Sequence, residues 1–214
     1  MAAKTTTPAK VAATSERAAN LLQALLSMES VPRPSDSLNP LLDATERCIT
    51  RYGFARTSMS DLAREMHVAR TTLYRQVDSV DDALLLVGAR IVHRFMDEIG
   101  LALLNGQDWR EMFIDTVVRL ITLGREDPIT RRIIEHEPET LGAIASSDLG
   151  THTMRRLIDV ATPLLTTARL GGDDPSMAAE LLARTILGLL VQPTEHDLTA
   201  MVEFSLRPLL PPPV

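Results

Sequence analysis

The sequence predicts an all-α protein, and three observations carry that reading. Apolar residues recur at three- and four-residue spacing through most of the chain, as the buried face of a helix requires. Strand-type alternation and Asn-Gly hairpin signals are not evident, and aromatic residues make up only 3% of the chain. Short proline and glycine clusters, "VPRPSDSLNP" and "GGDDPS", break the periodic stretches. With 214 residues, 45% of them hydrophobic, the chain is long enough for one sizeable core or two small ones.

The elements follow in order. Residues 1–13 are rich in Ala, Thr and Lys and are expected to be disordered. "TSERAANLLQALLSMES" forms a helix on this reading, with Leu21, Leu22, Leu25 and Met28 on one side. Two close prolines in the next segment exclude helix. A helix then starts near Asn39-Pro40, asparagine at the cap and proline at the first helical position. It places Leu41, Leu42, Thr45, Cys48, Ile49 and Tyr52 on one face and ends at Gly53. A second short helix starts at Ser58, with Asp61 three residues on as a weaker relative of the capping box, and buries Leu62, Ala63 and Met66. A third runs from about Ala69 to Gln76 with Leu73 turned inward. A serine-aspartate cap opens the long apolar pattern "DSVDDALLLVGARIVHRFMDEIGLALL".

After "NGQD", the stretch "WREMFIDTVVRLITLGRE" is helical, and Pro128 and Pro138 bracket "ITRRIIEHE". "THTMRRLIDVATPLLTTARL" is a longer helix with Pro163 inside it, where a kink is expected. "MAAELLARTILGLLV" and "EHDLTAMVEFSLRPLL" supply two more, and the "PPPV" tail is extended. The organisation expected is an N-terminal extension over residues 1–37, a helix-turn-helix module over residues 38–84 and a helical body over residues 85–210.

Charge is spread unevenly. The whole chain carries a net charge of -6, yet residues 38–77 hold six arginines against four carboxylates, and no acid stands between Ala69 and Val77. A small basic-leaning module on an acidic body suits a local anion-binding surface. Two short helices joined by a short turn cross steeply, and the helices on either side can cover their apolar faces. The third helix is then left with an exposed face of Arg70, Thr71, Tyr74 and Arg75. Arginine can form two parallel hydrogen bonds to guanine, and threonine offers a hydroxyl and a methyl to base edges. Tyrosine can donate to a phosphate oxygen. Ser58 stands where backbone N–H groups favour a phosphate. A helical module that binds only protein, with arginines on its wet side, fits the same spacing and stays open as the alternative.

Residues 40–88 also resemble the N-terminal domain of TetR-family transcriptional regulators. The matching pieces are "YGF" after the first module helix, "TSMSDLA" opening the second, Val68 to Tyr74 in the pattern V-x-x-x-T-L-Y, and "DALL" opening the long helix. The sequence departs from that pattern at His67, where glycine is usual, at Ala69, where a small capping residue is frequent, and at Gln76, Val77 and Val80.

The resemblance implies a homodimer on a pseudo-palindromic double-stranded DNA operator, touched by Thr57, Ser58, Arg70, Thr71, Thr72, Tyr74, Arg75 and Gln76. It implies a small effector that releases a repressor from DNA by changing the spacing of two reading heads, and the apolar C-terminal helices point to a mostly apolar one. Pocket candidates are Phe95, Met112, Phe113, Val117, Ile121, Met154 and Ile158. Interface candidates are Leu182, Ile186, Leu189, Leu190, Met201, Val202, Phe204 and Leu206.

Enzyme chemistry finds no support. No H-E-x-x-H, C-x-x-C, G-x-S-x-G or P-loop pattern occurs. The acids beside His136 and His196 are sequence neighbours that do not converge on one point of a helix. No cofactor and no metal are expected. Cys48 is alone, so no disulfide forms within one chain. No apolar run reaches the roughly 18 to 20 residues that cross a bilayer, and the N-terminus shows no secretory pattern. A cytoplasmic protein without a membrane partner is the expectation.

Overall fold

A computed structural model describes residues 17, 20, 21, 23, 24, 30–104 and 109–210. Residues 1–13, Leu22, Leu25, Met28, the "NGQD" segment and the "PPPV" tail lie outside the described residues. Within the described chain the regular elements are all helical. They are α1 (Asn39–Tyr52), α2 (Met59–Glu65), α3 (Arg70–Leu73), α4 (Val80–Leu104), α5 (Trp109–Glu126), α6 (Pro128–His136), α7 (Pro138–Ala145), α8 (Asp148–Thr167), α9 (Pro175–Val191) and α10 (Leu198–Leu206). None is long and apolar enough to cross a membrane.

The chain forms two compact units. One takes the chain up to Arg94 together with Pro128–Leu149, and the other takes Phe95–Asp127 together with the chain from Gly150 onward. This division by packing differs from a cut at residue 84, because α6 and α7 belong with the N-terminal helices.

In the first unit, α1 buries Leu41, Leu42, Ala44, Thr45, Cys48 and Ile49. Leu41 and Cys48 face Leu62, Leu73, Val77 and Ala83, while Leu42 and Ile49 face Leu84, Val87 and Ile129. Leu21 of the N-terminal extension is buried in this second cluster. The one polar side chain buried along α1, Thr45, returns its hydroxyl to Leu41 O at 2.8 Å, so no donor is orphaned. Pro40 lies in the first turn as expected, but the cap is Leu38, preceded by a single 3-10 turn at Asp36–Leu38. Gly53 ends α1 at φ 82°, and an added Cβ would sit 2.6 Å from Glu137 Oε1. The positive φ favours glycine there, and a side chain would also have to displace the Glu137 carboxylate.

The second unit is built on α5, α9 and α10. Ile114, Val117 and Ile121 of α5 share a core with Leu165, Ala178, Ala179, Leu182, Val202 and Leu206. Asp174 caps α9 by accepting from Met177 N at 2.9 Å, and Asp197 caps α10 by accepting from Ala200 N at 2.9 Å. The last helix therefore starts at Leu198, after the "EHD" acids. Arg125 closes the far end of α9, donating to Leu189 O at 3.1 Å. Pro163 lies inside α8, and the helix continues past it to Thr167.

This core overturns part of the expected interface between chains. Leu182, Val202 and Leu206 are buried inside their own unit, and Ile186 and Leu189 pack against them. Leu190 lies beside Gly124, and Met201 is half-buried. Of the eight interface candidates only Phe204 stands in the open, 71% exposed. The error has a simple source: along a helix the apolar period marks the stripe that is buried, and a chain fills its own core first.

Candidate nucleic-acid interface

The surface in question starts at the Gly53 turn. Thr57 donates its hydroxyl to Gly53 O at 2.9 Å and is 3% exposed. Its expected contact with DNA is thus corrected: the side chain is committed to the turn. Ser58 opens α2 with a full capping box. Its hydroxyl accepts from Asp61 N at 3.3 Å, and its own N–H donates to the Asp61 carboxylate at 3.1 Å. Ser58 thus caps α2 and shares its backbone N–H with the Asp61 carboxylate.

The turn from α2 to α3 is a Schellman closure. Val68 N–H reaches back to Ala63 O at 3.0 Å, and His67 N–H to Arg64 O at 3.2 Å. His67 therefore sits at the C′ position with φ 55°. Glycine suits this position best, which explains why the departure at His67 matters physically. Ala69 precedes α3 without a side-chain cap. The regular α-turns stop at Leu73, short of the expected Gln76. Beyond them Arg75 N–H meets Thr72 O at 3.3 Å and Gln76 N–H meets Leu73 O at 2.9 Å, tighter i to i+3 bonds that carry the chain to Val77.

Two apolar side chains pin this short helix. Leu73 is fully buried and Val77 is 6% exposed. The rest faces outward: Arg70, Thr71, Thr72, Tyr74, Arg75 and Gln76 are all exposed. Together they present two guanidiniums, three hydroxyls and one amide on a stretch free of acids. Arg70 donates to Ser60 Oγ on α2, a contact across the turn that no local sequence pattern announces. The platform behind it is braced by charge. Glu65 at the end of α2 accepts from Arg47 at 2.7 Å and Arg51 at 3.0 Å, both on α1. The Arg47 hydrogen bond, followed by the Arg51 charge, holds the Glu65 carboxyl below the ordinary carboxylate range. Arg90 of α4 meets Asp43 at 2.8 Å and Glu46 at 2.6 Å. Burial pushes the Cys48 thiol up, with Glu65 adding to it, which suits a packing residue better than a nucleophile.

The expected effector residues lie in the second unit. Val117 and Ile121 are buried in its core, with Phe113 and Ile158 packed against them. Phe95 reaches Gly124 from α4, while Met112 and Met154 are half-buried. An open groove of about 620 Å³ runs instead along α1, lined by Asp43, Glu46, Arg47, Thr50, Arg51 and Pro128, a charged lining with no expected effector residue in it. His136 ends α6 and His196 precedes α10, both exposed. Among the described residues no group of three metal-ligating side chains comes together.

Comparison with known proteins bears on this surface directly. Residues 41–79 match the family model for bacterial regulatory proteins of the tetR family. An HTH-type transcriptional regulator of Mycobacterium tuberculosis is 26% identical over 160 residues, covering 75% of this chain and 80% of that protein. Among solved structures, the fold resembles SmeT, the repressor of the Stenotrophomonas maltophilia multidrug efflux pump SmeDEF, at TM-score 0.57 and 23% identity, covering 78% of this chain and 85% of that one. It also resembles the fatty acid degradation regulator FadR of Bacillus halodurans at TM-score 0.57 and 18% identity, covering 84% and 97%. The matched segment spans α1, α2 and α3 and stops where α4 starts. The match identifies residues 41–79 as a DNA-binding domain similar to that of bacterial regulatory proteins of the tetR family, and over most of its length the chain is similar in sequence to HTH-type transcriptional regulators and in fold to SmeT and FadR.

Proposed function

We propose that the protein is a homodimeric repressor that leaves a pseudo-palindromic operator when a small, mostly apolar effector binds. The observation that carries this reading is the acid-free outer face of α3, held up by Leu73 and Val77. Residues 38–84 act as the reading head and residues 85–210 as the body that senses and pairs. In a dimer two such faces enter successive major grooves about 34–36 Å apart. An effector weakens the complex only by preferring a dimer with a different spacing. The helix α4 supplies residues to both units and is the element through which that preference reaches α3. A related fold has been solved as a SmeT-triclosan complex, at TM-score 0.57 and 22% identity, which supports a small apolar ligand for the body. Phe113, Val117, Ile121 and Ile158 form the apolar cluster that such a ligand would have to open.

The dimer surface proposed is the outer side of α9 and α10. Met177 (68% exposed), Leu181, Leu187, Val191 and Phe204 place apolar side chains in water there. Selection of bound duplexes from a random pool tests the whole reading. The expected result is a shared motif with two-fold symmetry, bound more weakly as salt rises. Arg70→Ala or Arg75→Ala then relaxes discrimination at one base pair per half-site by about 1–3 kcal/mol. A pool that yields no motif, or arginine variants that discriminate like the parent, overturns it.

A further inference from the structure

Among the described residues of the N-terminal extension, Arg17 bonds to the reading head. Arg17 lies outside the matched segment 41–79. Its Nε donates to Asp81 Oδ1 at 2.7 Å, and its Nη1 donates to Phe54 O at 2.8 Å and Thr57 O at 3.4 Å. The two carbonyls belong to the turn that leads into α2, and Asp81 belongs to the first turn of α4. The Arg17 side chain is 20% exposed and the Asp81 side chain 57%. Leu21, one helical turn on, is buried against Leu42, Ile49, Leu84 and Val87, so the extension is seated where Arg17 makes these bonds. Further along, His93 on α4 shares a 2.8 Å hydrogen bond with Val31 O.

Asp81 and Asp82 differ in what holds them. Asp82 is absorbed locally, accepting from Ser79 Oγ at 2.7 Å while its N–H donates back to that hydroxyl at 3.1 Å. Asp81 points to solvent soon after the reading face ends at Gln76. An uncompensated carboxylate there repels a polyanion across the roughly 8 Å screening length of physiological salt. We propose that Arg17 is a positioning residue for duplex binding: mounted on the Phe54 and Thr57 carbonyls, it cancels the charge of Asp81 in the first turn of α4, the helix that follows the α3 face in the chain. This rests on the reading of α3 as the DNA-contacting helix. A guanidinium suits the task because its planar fork serves two carbonyls and a carboxylate together.

The test uses the full chain and a duplex selected with the parent protein, titrated by fluorescence anisotropy at several salt concentrations, with thermal melting alongside. Arg17→Gln is expected to weaken binding about tenfold at low salt, with the loss shrinking as salt rises. Arg17→Lys, and Arg17→Gln combined with Asp81→Asn, are expected to return affinity to within about threefold of the parent. Parental affinity in Arg17→Gln overturns the proposal. So does a loss that neither the lysine nor the Asp81 change repairs, since a merely structural tie behaves that way. Should Arg17→Gln fail to fold, Asp81→Asn decides whether the charge at this position is felt by the duplex: it binds more tightly than the parent at low salt if it is, and unchanged or weaker binding overturns the idea. A parent that selects no duplex refutes the α3 reading instead, which keeps the two failures apart.

Discussion

The two units spend their surfaces differently. The first covers its apolar residues and leaves polar chemistry outside. Around α1, α2 and α3 the large exposed side chains are mostly arginines and other polar groups, Asp43 and His67 among them, and Tyr74 is the one large hydrophobic exposed among the described residues from Asn39 to Ala89, with a hydroxyl at its tip. The second unit does the reverse. Leu157, Val160 and Leu164 line one side of α8, and Met177, Leu181, Val191 and Phe204 stand out from α9 and α10. One surface is made for hydrogen bonding in water, and the other exposes area that another apolar surface would cover. What a unit leaves exposed after its core is filled is the better guide to its partner; what it buries reports only on folding.

Four experiments break or sharpen this contrast. The largest effect is expected at Leu73, the fully buried residue of a helix of four. Leu73→Ala should cost about 2–5 kcal/mol of stability by denaturant melting, and duplex affinity should fall with it because the reading face loses its seat. A stable variant with intact affinity would show that α3 is positioned by something other than its core contact.

Next comes Phe204, the most exposed large hydrophobic of the second unit. Phe204→Asp should weaken self-association by about 2 kcal/mol, seen as a shift toward monomer in sedimentation. Its melting at low protein concentration should change little, because the residue is 71% exposed, with the Arg207 guanidinium 5.9 Å from the ring centroid. Melting lost with no change in assembly would mean that the ring serves folding after all.

A smaller effect, of opposite sign, is expected at the α2–α3 turn. His67→Gly should stabilise the chain by about 0.5–1 kcal/mol, since it removes the left-handed cost and gives back part of it as unfolded-state freedom. A lower melting temperature would show that the imidazole makes a contribution its exposure hides.

The smallest concerns pH. The Glu65 carboxyl is held low in the folded state by Arg47 and Arg51. Its contribution is therefore complete above the unfolded value of about 4.3 and is lost as pH falls through the lower folded value. Glu65→Gln should flatten the decline in melting temperature below about pH 4.3 and leave the neutral-pH curve nearly parallel to the parent's. An acid limb identical to the parent's would remove the brace between α1 and α2 from the account.

Much of the fold was legible because it is local. The caps at Ser58 and Ser79, the stop at Gly53 and the inward side chains Leu62 and Leu73 follow from residue type and spacing. So did the outward set on α3, because a short helix with one buried leucine has few ways to face. Thr57 was misread because a hydroxyl beside a turn looks the same in sequence whether it meets solvent or a carbonyl four residues back. The interface residues were misread for a related reason: Leu182, Val202 and Leu206 carry the same apolar period whether they meet their own chain or another.

The sequence by itself determined that this chain is helical, where most of its helices start and stop, and which side chains of α3 share a face with no acid. Those properties arise within a few residues, from backbone geometry, capping and the 3.6-residue period. Only the tertiary structure decided which apolar stripes were used up inside, that α6 and α7 pack with the N-terminal helices, and that Arg17 meets Asp81 across 64 residues of chain. These depend on contacts between distant segments, which compete for the same buried volume and leave no trace in the spacing of either one.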